Sequence, residues 1–115
     1  FNEIDYLSKP IRTYSSGMKK KVQLCSTFLH EPKIVLLDEP FNNLDVITCN
    51  KLCEFLKSYI NSNRIIFICT HDLQYVEKIA TNIGVLENKK IILNEKLSKF
   101  IKNKKNIEDA LLASL

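Results

Sequence analysis

Hydrophobic positions along the chain fall into two patterns, helical spacing and short unbroken runs. The first helical segment has apolar residues at spacings of four, three and four: Met18, Val22, Cys25 and Leu29. We expect Ser15 or Ser16 to cap this helix and Pro32 to end it. The run IVLLD at 34–38 follows without alternation, which predicts a strand of a parallel sheet covered on both faces.

A second helix and a second strand repeat this order. The helix follows Asp45, and its large apolar residues share one side: Leu52, Leu56 and Ile60, with Phe55 and Tyr59 beside them. The polar stretch NSN at 61–63 ends it. The run IIFIC at 65–69 predicts the second strand, and Thr70, His71 and Asp72 come directly after it. We expect Asp72 to cap a short third helix.

The rest of the sequence predicts a β-hairpin and C-terminal helical pieces. IGVLE and IIL flank a turn at Asn88-Lys89-Lys90, the helical stretch KLSKFIK follows, and a lysine-rich hinge at 102–105 precedes the amphipathic piece IEDALLASL. The order of elements indicates an α/β protein with parallel core strands, flanking helices and a C-terminal hairpin. Polar clusters at 38–45 and 70–72 follow the strand ends, where open parallel sheets bind ligands.

Composition narrows the function classes. The 115 residues correspond to one domain or part of one, and 45% hydrophobic residues are typical of a packed protein. The basic residues behind the net charge of +4 are mostly lysines, several of them in short runs, a pattern typical of solvated surface, so we expect no nucleic-acid partner. Gly17 and Gly84 are the only glycines, so the sequence holds no GxxxxGK[ST] phosphate loop. Because the chain begins at Phe1 and not at Met, we expect it to be a fragment of a longer protein or a processed chain.

The acidic pair Asp38-Glu39 is a candidate for phosphate chemistry. Successive residues of a strand point to opposite faces, so Asp38 would hold Mg²⁺ through its waters while Glu39 stays available as a general base. Two acids at a strand end are also typical of a solvated strand terminus, and the pair alone does not decide between these interpretations.

Three motifs together carry a resemblance to a known family. YSSGMKKKV, then IVLLDEPFNNLD, then IIFICTHDL resemble the second half of the nucleotide-binding domain of ATP-binding cassette (ABC) ATPases, in the family order and at about the family spacing. The resemblance implies a P-loop NTPase-like fold without its Walker A half. It divides the chain into 1–31, the end of the helical subdomain with the signature helix; 32–93, the Walker B, D-loop and switch-histidine core with the hairpin; and 94–115, the C-terminal helices.

Family roles then fall on particular residues. The resemblance implies that Asp38 is the Walker B aspartate, which holds Mg²⁺ through water, and that Glu39 and His71 are the catalytic glutamate and the switch histidine. Four further residues are expected to contact the nucleotide: Ser15, Ser16 and Gly17 of the signature motif, and Asp45 of the D-loop. Ser16, Met18 and Asn43 depart from the usual residues, and the YSxGMKxK variant is similar to that of drug, lantibiotic and bacteriocin exporters. Asn43 tolerates a left-handed backbone better than most residues.

The family context implies cofactors and partners. ATP and Mg²⁺ are the expected ligands, and the expected partners are a second ABC ATPase domain in a head-to-tail dimer, a transmembrane permease and the missing Walker A half. The protein would then be cytoplasmic and peripheral on the inner face of the membrane, and it would drive export. Without the Walker A half we expect the chain alone to be inactive. Two alternatives are a cytosolic ABC ATPase acting on ribosomes or nucleic acid, and a non-catalytic piece that supplies a signature motif to another cassette.

Overall fold

The computed structural model describes residues 10, 15–61, 63–101 and 111–112. The chain divides into two compact units, Phe1–His71 and Asp72–Leu115. The first unit carries the strand ends and the motifs singled out in the sequence.

The first unit contains two helices and two strands in the predicted order. Helix α1 spans Ser16–Phe28, strand β1 Ile34–Asp38, helix α2 Val46–Tyr59 and strand β2 Ile65–Cys69. The strands pair in parallel, with Ile34 opposite Ile65 and Asp38 opposite Cys69. The prediction of parallel core strands with flanking helices is confirmed for this unit.

Helix α1 begins with a capping box. The hydroxyl of Ser15 accepts a hydrogen bond from the Met18 backbone N–H at 3.1 Å, and the Ser15 N–H lies 3.4 Å from the Met18 sulfur. Backbone donors that helix geometry leaves without a partner are thereby satisfied. Of the two serines that the sequence offered as caps, the structure selects Ser15.

The buried side of α1 differs from the predicted one. Leu24 and Phe28 are buried, whereas Leu29 is exposed and the other three residues of the predicted stripe are half-buried. The reason is an aromatic cluster, in which the Phe28 ring meets those of Phe55 and Tyr59 edge-on at centroid distances of 4.9 and 4.8 Å. Such pairs stabilise beyond their buried area, and they set the rotation of α1.

Helix α2 supplies half of the buried residues described in the first unit. Leu52 and Leu56 are fully buried, as the helical spacing predicted. The helix ends at Tyr59, whose hydroxyl donates to the backbone oxygen of Pro32, and Ile60 lies beyond it as the C-cap. This hydrogen bond ties the end of α2 to the segment before β1.

Strand β1 is covered on one face only by the described residues. Val35 and Leu37 are buried, while the opposite face presents large exposed side chains on both strands: Ile34, Leu36, Ile65 and Phe67. The prediction that both faces are covered is therefore wrong for this part of the chain. An unbroken apolar run is typical of a strand that is buried on both faces, but it does not show which part of the protein covers each face.

The second unit is a hairpin with two short helices. It comprises helix α3 Leu73–Ile79, strands β3 Asn82–Glu87 and β4 Lys90–Lys96 in antiparallel pairing, and helix α4 Leu97–Phe100. The turn is shorter than predicted, because Asn88 and Lys89 form it with φ of 50° and 63°, the conformation that two-residue hairpin turns require. Lys90 already belongs to β4.

The core of the second unit forms around α4. Leu97 and Phe100 are buried, and partly buried apolar residues pack against them: Leu73, Val76, Ala80, Ile83, Leu93, Ile101 and Leu111. Asp72 is the N-cap residue of α3, as predicted, but its side chain makes no cap hydrogen bond. Its ψ of 77° departs from the extended conformation seen at Ser15.

The C-terminal predictions fall largely outside the described residues. These are the hinge at 102–105 and all of the amphipathic piece except residues 111–112, which are helical. None of the described helices is long and apolar enough to cross a membrane.

Candidate functional site

The candidate site lies where β1 and β2 end side by side. Parallel pairing places Asp38 opposite Cys69, and the ladder continues one step further because the Glu39 N–H donates to the Cys69 oxygen at 2.8 Å. This register brings Glu39 next to the two residues that follow β2, Thr70 and His71. Side chains more than 30 positions apart in sequence thus meet at one sheet edge.

Both carboxylate oxygens of Glu39 are engaged. The Thr70 hydroxyl donates to Oε2 at 3.1 Å, and Nδ1 of His71 lies 2.7 Å from Oε1. The Glu39 side chain is 29% exposed and that of His71 78% exposed. The carboxylate is therefore fixed in orientation by its neighbours, while the imidazole stands in solvent where a ligand can reach it.

These contacts also set the charge of Glu39. Desolvation raises the pKa of its carboxyl, but the hydrogen bond from His71, followed by that from Thr70 and by the charge of His71, outweighs it, so the pKa lies below its ordinary value of 4.5. Glu39 is consequently a carboxylate at neutral pH. An ionised, oriented carboxylate is the state that a general base requires.

The backbone turns sharply after Asp38. Glu39 has a φ of 48°, in the left-handed region, so it has already left the strand. Strand alternation was predicted to separate the two carboxylates, and this prediction is wrong because Glu39 lies beyond the end of β1. A turn, and not the pleat, directs Glu39 towards Thr70 and His71.

Asp38 remains accessible at the end of β1. It is exposed, and with Lys20 and Gln23 it lines a cleft of about 220 Å³ between α1 and β1. The described residues contain no group of three or more His, Cys, Asp or Glu side chains that could hold a metal ion. Mg²⁺ commonly keeps several waters and uses one or two carboxylates, so an accessible aspartate fits that ion and does not fit a zinc site.

The residues predicted to form the signature motif lie at the first turn of α1. Ser15 is the exposed N-cap, Ser16 is the first helical residue and Gly17 the second. The first turn contains no acidic side chain to offset the positive end of the helix dipole. This end of α1 fits an anionic group such as a phosphate.

Gly17 has a close neighbour within its own chain. A Cβ built at this position would lie 2.8 Å from the backbone oxygen of Asn43, closer than real Cβ contacts. Asn43 has a φ of 65°, which confirms that asparagine takes a left-handed backbone here. The first turn of α1 and the loop after β1 therefore touch backbone to backbone.

Asp45 serves as the N-cap of α2. Its Oδ1 accepts a hydrogen bond from the Thr48 backbone N–H at 2.6 Å. This backbone hydrogen bond is the main cause that lowers the pKa of Asp45 below its ordinary value of 3.8. The predicted nucleotide-contact residue thus fixes the start of α2 from an exposed position.

The structure gathers some of the predicted site residues and adds others. It joins Glu39 to His71 directly and leaves Asp38 accessible beside them. Sequence reasoning assigned no role to Thr70, although a hydroxyl between an apolar strand and His71 was a usable signal. The contact between Gly17 and Asn43 had no signal beyond the glycine itself.

Comparisons with known proteins agree with the motifs. Residues 1–42 match the family model of ABC transporters. The chain is 34% identical over 93% of its length to the uncharacterised ABC transporter ATP-binding protein YhaQ of Bacillus subtilis, of which it covers 37%. It is 36% identical over 76% of its length to the lantibiotic transport ATP-binding protein SrtF of Streptococcus pyogenes, covering 38% of it. For the bacitracin transport ATP-binding protein BcrA of Enterococcus faecalis, the identity is 35% over 87% of this chain and 33% of the relative.

The fold matches as well. The ATP-binding subunit of an ABC transporter superimposes with a TM-score of 0.79 at 24% sequence identity, over 89% of this chain and 44% of that subunit. The predicted resemblance and the fold class are thereby confirmed. The chain spans about a third to two fifths of the length of the curated relatives named here.

Proposed function

We propose that this chain, which is related in sequence and fold to the ATP-binding proteins of ABC transporters, forms the part of an ATP-hydrolysing subunit that carries the catalytic base and the signature helix. The complete subunit would bind ATP and Mg²⁺, dimerise head to tail with a second ABC ATPase domain and drive export through a separate permease. It would lie in the cytoplasm, on the inner face of the membrane. The resemblance of the signature variant to exporters and the relatives that transport lantibiotics and bacitracin support this direction.

One observation carries the proposal. Glu39, an ionised carboxylate, has Oε1 beside His71 and Oε2 beside Thr70, and it follows directly after the accessible Asp38 at the end of a parallel strand. At a simple solvated strand terminus, the carboxylate would be hydrogen-bonded to water and not to other side chains. The arrangement instead holds one carboxylate still and leaves its neighbour open, as metal-assisted attack of water on a phosphate requires.

The side chains then divide the work. Asp38 would hold Mg²⁺ through its waters, and that ion supplies charge neutralisation at the phosphates when it is bound. Glu39 would accept the proton of the attacking water, which its ionised state permits. His71 orients Glu39 through Oε1, and from its exposed position it would contact the terminal phosphate.

The signature end of α1 would serve the nucleotide of the partner subunit. Ser15 and Ser16 place hydroxyl groups at the positive end of a 13-residue helix, and both are exposed. Asp45, also exposed, lies one loop away and would contact the partner at the same dimer face. In this scheme each subunit completes the site of the other.

A reconstitution experiment tests the proposal. The 115-residue chain is purified alone and together with a Walker A half of an ABC ATPase, and phosphate release from Mg²⁺-ATP is measured. We expect no hydrolysis by the chain alone, because its sequence lacks the phosphate loop. We expect hydrolysis by the complex, and about a 100-fold or greater loss with Glu39→Gln, as removal of a general base gives.

The matched control is Glu54→Gln, the same substitution at an exposed glutamate on α2. It should leave hydrolysis unchanged. Unimpaired turnover with Glu39→Gln would refute the assignment of the base. Mg²⁺-dependent turnover by the chain alone, abolished by Glu39→Gln, would refute the need for the Walker A half.

A further inference from the structure

The contact between Gly17 and Asn43 joins the signature helix to the loop that begins at Glu39. The distance of 2.8 Å that a Cβ at Gly17 would have to the Asn43 oxygen is too short for any side chain. The obstructing atom belongs to the backbone, so it cannot swing aside as the end of a flexible side chain can. A glycine is therefore required at this position by the chain's own packing, before any ligand is considered.

The loop at 39–45 has little freedom to retreat. Two of its residues, Glu39 and Asn43, hold left-handed backbone conformations. Pro40 is fully buried and Phe41 is 3% exposed, so the middle of the loop is anchored in the core. The Cys49 thiol of α2 donates a hydrogen bond to the Phe41 backbone oxygen at 3.5 Å and holds the same stretch.

The loop begins and ends at two of the predicted site residues, Glu39 and Asp45. At its start, Glu39 contacts Thr70 and His71, and at its end Asp45 caps α2. We propose that Gly17 is a positioning residue, which seats the Asn43 carbonyl so that the first turn of α1 sets the place of Glu39 and Asp45. The functional meaning of this contact rests on the proposed function.

The consequence is a mechanical link within one subunit. The helix end that would receive a phosphate of the partner's nucleotide is in backbone contact with the loop that carries the subunit's own base. A displacement of the first turn of α1 is transmitted to the loop because close-packed backbone atoms cannot interpenetrate. Each subunit would thus sense the partner's nucleotide at Gly17 and respond at Glu39.

The test compares the two glycines of the chain. Gly17→Ala and Gly84→Ala are made in the 115-residue protein, and thermal unfolding and amide ¹H–¹⁵N spectra are recorded. A Cβ at Gly84 meets the Leu93 oxygen at 3.6 Å, an ordinary contact, so this variant should keep or raise Tm. Gly17→Ala should lower Tm and shift the amides of 39–45 together with the ring signals of His71.

The opposite result is well defined. If Gly17 met no obstacle, alanine would favour the helix and raise Tm by about 2 to 8 °C. A raised Tm with unmoved amides at 39–45 would overturn the inference. The His71 signals separate positioning from a general loss of stability, because a merely frayed helix would leave the environment of His71 unchanged.

A second variant covers the case in which Gly17→Ala does not fold. Asn43→Gly keeps the left-handed conformation accessible and loosens the loop, so the double variant should regain the native spectrum. Its effect on Tm should be non-additive with that of Gly17→Ala. Additive effects, or a double variant that stays unfolded, would refute the contact. No nucleotide enters these measurements, so their failure and a failure of the reconstitution test are distinguishable.

Discussion

Two adjacent leucines of β1 allow a sharp test of how the first unit is packed. Leu37 is 7% exposed and Leu36 is 73% exposed, although they are neighbours in one strand. Leu37→Ala should lower the free energy of unfolding by about 2 to 5 kcal/mol, because it loses the transfer energy of the side chain and leaves a cavity. Leu36→Ala deletes the same atoms from a solvent-exposed side chain and should change the free energy of unfolding by less than about 0.5 kcal/mol.

The assay is urea unfolding followed by far-UV circular dichroism, with sedimentation at several protein concentrations. Each 1 kcal/mol corresponds to about 4 to 8 °C in Tm for a domain of this size, so the two variants should separate clearly in a thermal scan too. Equal losses for both would show that the outer face of β1 and β2 is covered in solution. If that loss grew with protein concentration, the cover would be a second copy of the chain.

Three further predictions concern the candidate site. The folded-state pKa of Asp45 lies below its ordinary value of 3.8, so the stability that its carboxylate contributes is complete above that pH and is lost as the pH falls through the folded pKa. The urea midpoint of Asp45→Asn should therefore lie below that of the unsubstituted chain at neutral pH, and the two midpoints should converge in acid. In the reconstituted enzyme, Ser15→Arg should abolish hydrolysis while nucleotide binding persists, with the exposed Ser98→Arg as control, and lost binding would place the signature in its own subunit's site. Thr70→Val should lower kcat, but by less than the loss of about 100-fold expected for Glu39→Gln, and it should leave KM little changed. Thr70→Ser keeps the hydroxyl and should restore kcat. An unaffected kcat in Thr70→Val would show that the hydroxyl does not position the base.

Local sequence predicted the elements well and their packing less well. The cap of α1 at Ser15 and the buried face of α2 at Leu52 and Leu56 follow from patterns within one segment, and the structure confirms them. The predicted buried side of α1 was wrong because Phe28 packs against aromatic rings of another helix. The prediction that both faces of β1 are covered was wrong because burial depends on a covering partner, which the sequence of the strand does not encode.

The candidate site divides in the same way. The motifs singled out Glu39 and His71 as candidates, but the sequence did not predict that their side chains touch. The hydrogen bond from Thr70 and the contact of Asn43 with Gly17 could not be predicted from the sequence, because each depends on a backbone turn at a residue with positive φ. Patterns of spacing describe regular elements, whereas left-handed residues redirect the chain between them.

The register of β1 and β2 decides whether the site exists at all. Glu39 reaches Thr70 and His71 because Asp38 lies opposite Cys69 and the next ladder bond runs from Glu39 to Cys69. A slip of one residue would turn every side chain of β1 to the other face, burying Asp38 and exposing Leu37. The slip would exchange one pair of apolar side chains, Val35 and Leu37, for another, Ile34 and Leu36, so hydrophobic burial alone does not choose the register. A buried unpaired carboxylate is costly, and Asp38 at the strand end therefore fixes the register. The acidic residue that ends the strand therefore also aligns the base with its two hydrogen-bond partners.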